Sequence, residues 1–204
     1  MVILLFVKEP VPGKVKTRLA QAVGIEQAAQ IYRELVALVC SRLPEETPLV
    51  VAFDPPDRED AVRAWFLEMG KSPVFIPQAQ GDLGERLIAA LAQCFLLGYR
   101  KVTVIGSDCP EIAPEHFEQT RRALEEHDVV LGPVADGGYY LMGLKKPEPQ
   151  LFKNIPWSTD AVYRCTLEAA NQSGLSVLPL AQLEDIDTVA DWIAWRKRSG
   201  LLSA

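Results

Sequence analysis

Lys8, Lys14, Lys16 and Arg18 place four of the chain's 21 Lys and Arg residues within eleven consecutive positions, in a protein of net charge -6. They follow directly on Val2-Ile3-Leu4-Leu5-Phe6-Val7, an apolar run without polar alternation that reads as a strand covered on both faces. Pro10, Pro12 and Gly13 then prevent helix continuation and build an irregular loop, in which Gly13 lets the backbone come close to a ligand. Thr17 to Leu19 open a helical pattern. Lys14, Lys16 and Arg18 therefore gather near a helix entrance, where unpaired N–H groups and the helix dipole also favour anions. This strand-loop-helix context points to phosphate binding; the plainer alternative is a solvated basic turn. The spacing of glycine before Lys16-Thr17 is not that of a P-loop.

A second group of polar residues follows the apolar run Lys101 to Ile105, in Gly106-Ser107-Asp108-Cys109-Pro110. In open α/β sheets ligands lie beyond the carboxyl ends of strands, so Asp108 would offer a hard oxygen ligand on the same edge as the basic loop. Alternatively it caps the turn before Pro110. Cys109 makes a poor nucleophile candidate, because His116 and His127 are the chain's only histidines and neither lies close in sequence. Arg86 carries a rigid fork suited to a phosphate or carboxylate, or to a surface pair with Glu85 or Asp82. Asp185-Ile186-Asp187-Thr188 precedes a helical pattern and reads as its N-terminus, with Thr188 or Asp187 as cap.

The elements that must position these residues alternate between strand and helix. Strands are predicted at Val2–Val7, Leu49–Phe53, Val74–Ile76, Lys101–Ile105, Val129–Val134, Tyr139–Leu144 and Ser176–Leu180. Helices are predicted at Ile25–Leu43, Asp57–Met69, Gly84–Leu97, Glu115–His127, Thr159–Asn171 and Thr188–Arg198. Repeated βα units predict a single-domain, Rossmann-like α/β fold over residues 1–204, a mostly parallel sheet with helices on both faces. Asp136-Gly137-Gly138 would allow a tight hairpin, bringing in an antiparallel strand. Tyr32, Trp65, Trp192 and Trp195 fall on helical patterns and are expected in packing.

Composition narrows the function. An apolar content of 49% over 204 residues supports a substantial core. No uncharged apolar run of 18 residues or more occurs and the apolar start is short, so neither a membrane span nor a signal peptide is expected. Cys40, Cys94, Cys109 and Cys165 are scattered, which suits reduced thiols and a cytoplasmic location. The acidic balance argues against broad nucleic-acid or membrane binding.

Five segments occur in order: Lys8 to Leu19, Gly81-Asp82-Leu83-Gly84-Glu85-Arg86, Gly106-Ser107-Asp108-Cys109-Pro110, Asp136-Gly137-Gly138-Tyr139-Tyr140 and Asp185-Ile186-Asp187-Thr188. Together they resemble DUF2064, a family related to the nucleotide-diphospho-sugar transferases of the glycosyltransferase A fold and linked in part to arsenosugar biosynthesis. The resemblance implies nucleotide and phosphate contacts from Lys8, Gly13, Lys16, Thr17, Arg18, Gly81, Gly84 and Arg86. It implies Mg²⁺ or Mn²⁺ on Asp108 and Asp187, with Asp185 as an alternative ligand, and catalytic roles for Lys16, Arg18, Asp108 and Asp136. Asp136, Gly137, Gly138 and Trp157 would face a small-molecule acceptor; for the glycines a plain hairpin turn is the alternative, and Ser158 or Thr159 could cap the next helix. The implied activity is metal-dependent transfer of a sugar from a nucleotide sugar. Two alternatives stand beside it: a nucleotidyltransferase joining a nucleoside triphosphate to a phosphorylated small molecule, and a non-catalytic nucleotide-binding protein. The Lys-x-Lys-Thr-Arg-Leu run, which resembles phospholactate and molybdopterin guanylyltransferases, favours the first of these two.

Overall fold

The first apolar run forms strand β1 (Val2–Lys8), and its lack of alternation has a direct cause: it lies near the middle of a seven-stranded sheet with side chains packed on both faces. The computed structural model describes residues 1–200. Within them the chain continues through helices α1 (Thr17–Val23) and α2 (Ile25–Arg42), strand β2 (Leu49–Asp54), helix α3 (Glu59–Glu68) and strand β3 (Val74–Pro77). Helix α4 (Leu83–Leu96), strand β4 (Val102–Ile105), helix α5 (Pro114–Glu126) and strands β5 (Val129–Pro133) and β6 (Tyr139–Leu144) follow. A 3-10 turn at Pro149–Phe152, helix α6 (Val162–Gln172), strand β7 (Val177–Pro179) and helix α7 (Val189–Arg198) complete the order.

The strands run β3-β2-β1-β4-β6-β5-β7, and all neighbours pair in parallel except β4–β6 and β5–β6. The fold is thus the mostly parallel α/β sheet expected of the sequence, and Asp136-Gly137-Gly138 does join an antiparallel hairpin. The β1/β4 junction is where strand order reverses, the place such sheets leave a crevice.

Alternate residues of β1 feed two cores. Ile3, Leu5 and Val7 pack with residues of α2, α3 and α5, whereas Val2 and Leu4 pack with α4, α6 and the 3-10 turn. A third cluster joins Leu19 of α1 and Ala28, Ile31 and Leu35 of α2 to Ile186, Trp192 and Trp195. It folds the end of the described chain back against the beginning. The four aromatic residues expected in packing, Tyr32, Trp65, Trp192 and Trp195, are all buried.

At the far end of the sheet, Asp128 fixes the start of the β5–β7 pairing. Its Oδ2 accepts from Ser176 N (3.0 Å) and Ser176 Oγ (2.8 Å), and these hydrogen bonds, with Lys145 nearby, outweigh desolvation and hold its pKa below the ordinary 3.8. Asp128→Ala is expected to cost about 1 kcal/mol, lowering Tm by about 2–4 °C in a chain of this size. A depressed carboxylate pKa stabilises the fold above its unfolded value, so the difference between native and variant Tm should shrink as pH falls below that value. A difference that stays constant down to low pH would refute the charged form as the stabilising one.

Candidate functional site

Six strand ends and the beginning of β6 lie at a single edge of the sheet, which holds a cleft of about 950 Å³. After β1 comes the basic loop. Lys8, Lys14, Lys16, Thr17 and Arg18 line the cleft, with the turn positioned by Gly13 at φ +77°. Glu9 ties this loop to the start of α3 through a two-pronged contact with Arg58 (2.9 and 2.7 Å).

Lys16 is the pivot. Its backbone lies in the left-handed region (φ 45°, ψ 50°), which costs a non-glycine residue about 1–2 kcal/mol. Its side chain, only 6% exposed, gives each ammonium hydrogen an acceptor: Asp108 Oδ1 at 3.1 Å, Asp187 Oδ1 at 3.1 Å and the Ile186 carbonyl at 2.5 Å. Burial alone would lower its pKa, but the two carboxylates win and hold it above the ordinary value. Arg18 reaches Asp187 Oδ2 at 3.1 Å from the exposed side. Lys8 and Lys14 form no ion pair among the described residues, and their charges remain available to a ligand.

The segment carrying Asp187 is held by its middle residue. Ile186 is 1% exposed in the cluster beneath α7, and its N–H donates to the Asp108 carbonyl at 2.9 Å. With Ile186 turned inward, Asp185 and Asp187 line the cleft on either side of it. Thr188, not Asp187, caps α7: its hydroxyl accepts from Asp191 N, while Asp191 Oδ2 accepts from Thr188 N at 2.7 Å. The Asp187 carboxylate is thereby left to the site.

Asp136, Asp185 and Asp187 each present a carboxylate oxygen within 4.8 Å of the others. Desolvation, followed by repulsion from Asp136 and Asp187, pushes the Asp185 pKa up to about 6. Three hard oxygen donors that resist being charged together fit a divalent cation such as Mg²⁺ or Mn²⁺. Asp108 stands outside this trio. Its link to Asp187 runs through Lys16, and its side chain also lies 3.4 Å from Ser107 Oγ.

The remaining expected residues divide by position. Gly81 and Arg86 line the cleft, whereas Gly84 is buried where a Cβ would come within 2.4 Å of the Phe152 carbonyl and 2.9 Å of Trp157 Nε1. The second glycine of that motif serves helix packing. Asp82 and Glu85 form the capping box of α4, so neither pairs with Arg86. Arg86 instead donates to the Gly81 carbonyl (3.0 Å) and approaches Gln78 Oε1 (3.4 Å) and Asp54 (3.6 Å). Asp136, Gly138 and Trp157 line the opposite wall, with Gly137 behind them. Thr159 does not cap α6; it closes the turn before it, donating to Pro156 O and accepting from Ala161 N, and the helix starts at Val162.

Two positioning residues escaped the sequence reading. Tyr32, buried on α2, accepts from the Lys8 N–H at 2.9 Å and lies 3.3 Å from Ser107 Oγ, bridging the loops after β1 and β4. Gln78 donates to the Val7 (3.1 Å) and Ala52 (2.9 Å) carbonyls, closing the ends of β1 and β2 beneath Arg86. Helical spacing marks Tyr32 only as a buried position, and nothing local marks Gln78.

A crystal structure of a candidate nucleotide-diphospho-sugar transferase from Desulfovibrio desulfuricans G20 is similar throughout: 36% identity, 97% of this chain and 87% of that one, TM-score 0.90. Two more distant structures share the fold. One is the 4-diphosphocytidyl-2C-methyl-D-erythritol synthase of Anaerococcus prevotii DSM 20548 (12% identity, 98% of each chain, TM-score 0.61). The other is Rv0371c of Mycobacterium tuberculosis H37Rv in complex with manganese (16% identity, 95% of this chain and 97% of that one, TM-score 0.54). No curated protein matches the sequence. The model of DUF2064, described as uncharacterized proteins conserved in bacteria, matches residues 40–159. By that match, and by its likeness to the Desulfovibrio protein over nearly its whole length, the chain belongs to the DUF2064 family.

Proposed function

We propose that the chain is a divalent-metal-dependent transferase that binds a nucleotide diphosphate sugar and passes the sugar to a small-molecule acceptor. The observation that carries this reading is the meeting, in one cleft, of free cations from the basic loop with the Asp136-Asp185-Asp187 trio. The 36% likeness to a candidate nucleotide-diphospho-sugar transferase supports it.

Lys8 and Lys14 would hold the diphosphate, with Arg18 at the mouth. Lys16 would keep Asp108 and Asp187 in place and set the charge at the metal-facing carboxylates. Asp136, Asp185 and Asp187 would hold Mg²⁺ or Mn²⁺, which supplies neutralisation of charge developing on a diphosphate leaving group. Asp136, at the turn between β5 and β6, belongs both to this trio and to the far wall, where its second carboxylate oxygen would accept a proton from an incoming hydroxyl. Transfer of a nucleotidyl group to a phosphorylated molecule is the second reading; the five basic side chains lining the cleft favour it, since they would serve a triphosphate as well.

Thermal melts with Mn²⁺, with a panel of nucleoside diphosphates and with both should show stabilisation that requires both, because binding to the native state alone raises Tm by mass action. Product masses from nucleotide sugars and nucleoside triphosphates then separate the two chemistries. Nucleoside diphosphate plus a glycosylated product supports the first, and pyrophosphate plus a nucleotide conjugate the second. Stabilisation indifferent to metal would sink the metal-dependent reading.

A further inference from the structure

Charge is divided unevenly along the cleft. All five basic side chains that line it, Lys8, Lys14, Lys16, Arg18 and Arg86, come from the end of β1, the loop after it, the first turn of α1 and the first turn of α4. The opposite wall consists of the β5–β6 turn, the start of β6 and the loop before α6, and it presents Asp136, Tyr139, Trp157, Ser158, Thr159 and Asp160. No Lys or Arg of the described residues lines that wall. The two segments form one surface. Tyr163 N donates to the Gly137 carbonyl at 2.8 Å, and a Cβ at Gly137 would lie 2.2 Å from the Asp160 carbonyl oxygen.

None of the cations near in sequence, Lys145, Lys146, Lys153 and Arg164, lines the cleft. Arg164, one helical turn beyond Asp160, bonds Glu168 at 2.8 Å; Lys145 pairs with Asp128 and Lys146 with Glu148. A divalent cation on the Asp136-Asp185-Asp187 trio would be matched by those three carboxylates, and Asp160 would still face the acceptor with only Arg164, which lies outside the cleft lining, to offset its charge. An anionic group there would meet like charge with no cationic donor to offset its lost hydration. A neutral polyol meets the reverse. Its hydroxyls find carboxylate and hydroxyl acceptors, and its C–H faces find Tyr139 and Trp157.

Building on the transferase reading, we propose that this wall selects an uncharged, hydroxyl-bearing acceptor and rejects phosphorylated or carboxylated ones, with Asp160 as the residue that enforces the choice. The selection works by repulsion of the wrong partner as much as by attraction of the right one. It bears on the chemistry at large, because a wall of this kind disfavours joining a nucleoside triphosphate to a phosphorylated molecule.

The test has two titrations on the full chain. Mn²⁺ with UDP, GDP, CDP or ADP is titrated first; failure of all four to bind overturns the transferase reading, and this inference falls with it. Glycerol 3-phosphate and 3-phosphoglycerate are then added to the loaded protein, with tryptophan fluorescence as readout. The wild-type protein should show no saturable change, and Asp160→Lys should acquire anion binding at least about tenfold tighter. The near-isosteric Asp160→Asn, with its Tm measured alongside, should fall between and guards against a misfolded lysine variant. Anion binding to the wild type as tight as to Asp160→Lys, while nucleotide still binds, would overturn this inference alone.

Discussion

Asp187→Asn is expected to lower turnover at least about a hundredfold while leaving Tm within a few degrees of native. Asp187 is the residue on which the two halves of the site converge. One oxygen accepts from Lys16, the other from Arg18, and the same carboxylate belongs to the trio with Asp136 and Asp185. An asparagine of the same shape would turn an amide N–H or a weaker acceptor toward two cations and withdraw one charge from the metal-facing group. The fold has less to lose. Asp187 is 34% exposed and Lys16 keeps Asp108 as a partner, so the change should stay near the small values typical of accessible ion pairs. Asp108→Asn provides the contrast, because Asp108 touches Lys16 but stands outside the trio. Turnover and Mn²⁺ affinity measured on both should show the larger loss of Mn²⁺ affinity in Asp187→Asn. Equal or greater loss in Asp108→Asn would move the metal to the Asp108 side of Lys16.

The second large effect concerns the opposite wall. Gly137 sits at φ +90°, and an added Cβ would lie 2.2 Å from the Asp160 carbonyl oxygen and 2.6 Å from its carbonyl carbon and Cα. Backbone, not a pliable side chain, is in the way. Gly137→Ala combines the left-handed penalty with forced separation of the β5–β6 turn from the loop before α6, for an expected loss of at least about 2 kcal/mol. Gly174→Ala isolates the conformational part, because Gly174 has φ +69° with nothing within 4 Å of its added Cβ. Melting curves should place Gly137→Ala well below Gly174→Ala, and Gly137→Ala alone should impair transfer. Coincident curves would mean that the two segments are not packed as described.

The sequence made the sheet readable because its strands carry their burial openly. The unbroken apolar runs at β1 and β4 mark central strands, and Asp136-Gly137-Gly138 marks a hairpin by its turn chemistry alone. Helix boundaries were less visible. Thr159 looks like a cap yet bonds Pro156 and Ala161 ahead of the helix, because its position follows from how the loop meets Gly137. The basic loop and the candidacy of Asp108, Asp136, Asp185 and Asp187 as site residues can be read from residue types and order, and all four line the cleft. Their grouping cannot be read that way. Asp185 reaches Asp136 because β7 pairs in parallel with β5 and a bridge joins Val134 to Leu183, a register that no local pattern encodes. Gly84 shows the same limit from the other side: a glycine in a ligand-like motif that is required by a neighbouring carbonyl.

The Lys16 clasp also carries a consequence for the order in which the molecule is made. Its ammonium joins position 16 to Ile186 and Asp187, 170 and 171 residues away. Closing so long a loop early in folding brings a large entropy loss before any contact repays it. Local helices and adjacent strands can form while the chain is still emerging from the ribosome, but Lys16 has no carbonyl at Ile186 to bond until 170 further residues have been synthesised. The clasp therefore closes only after every strand of the described sheet has been synthesised.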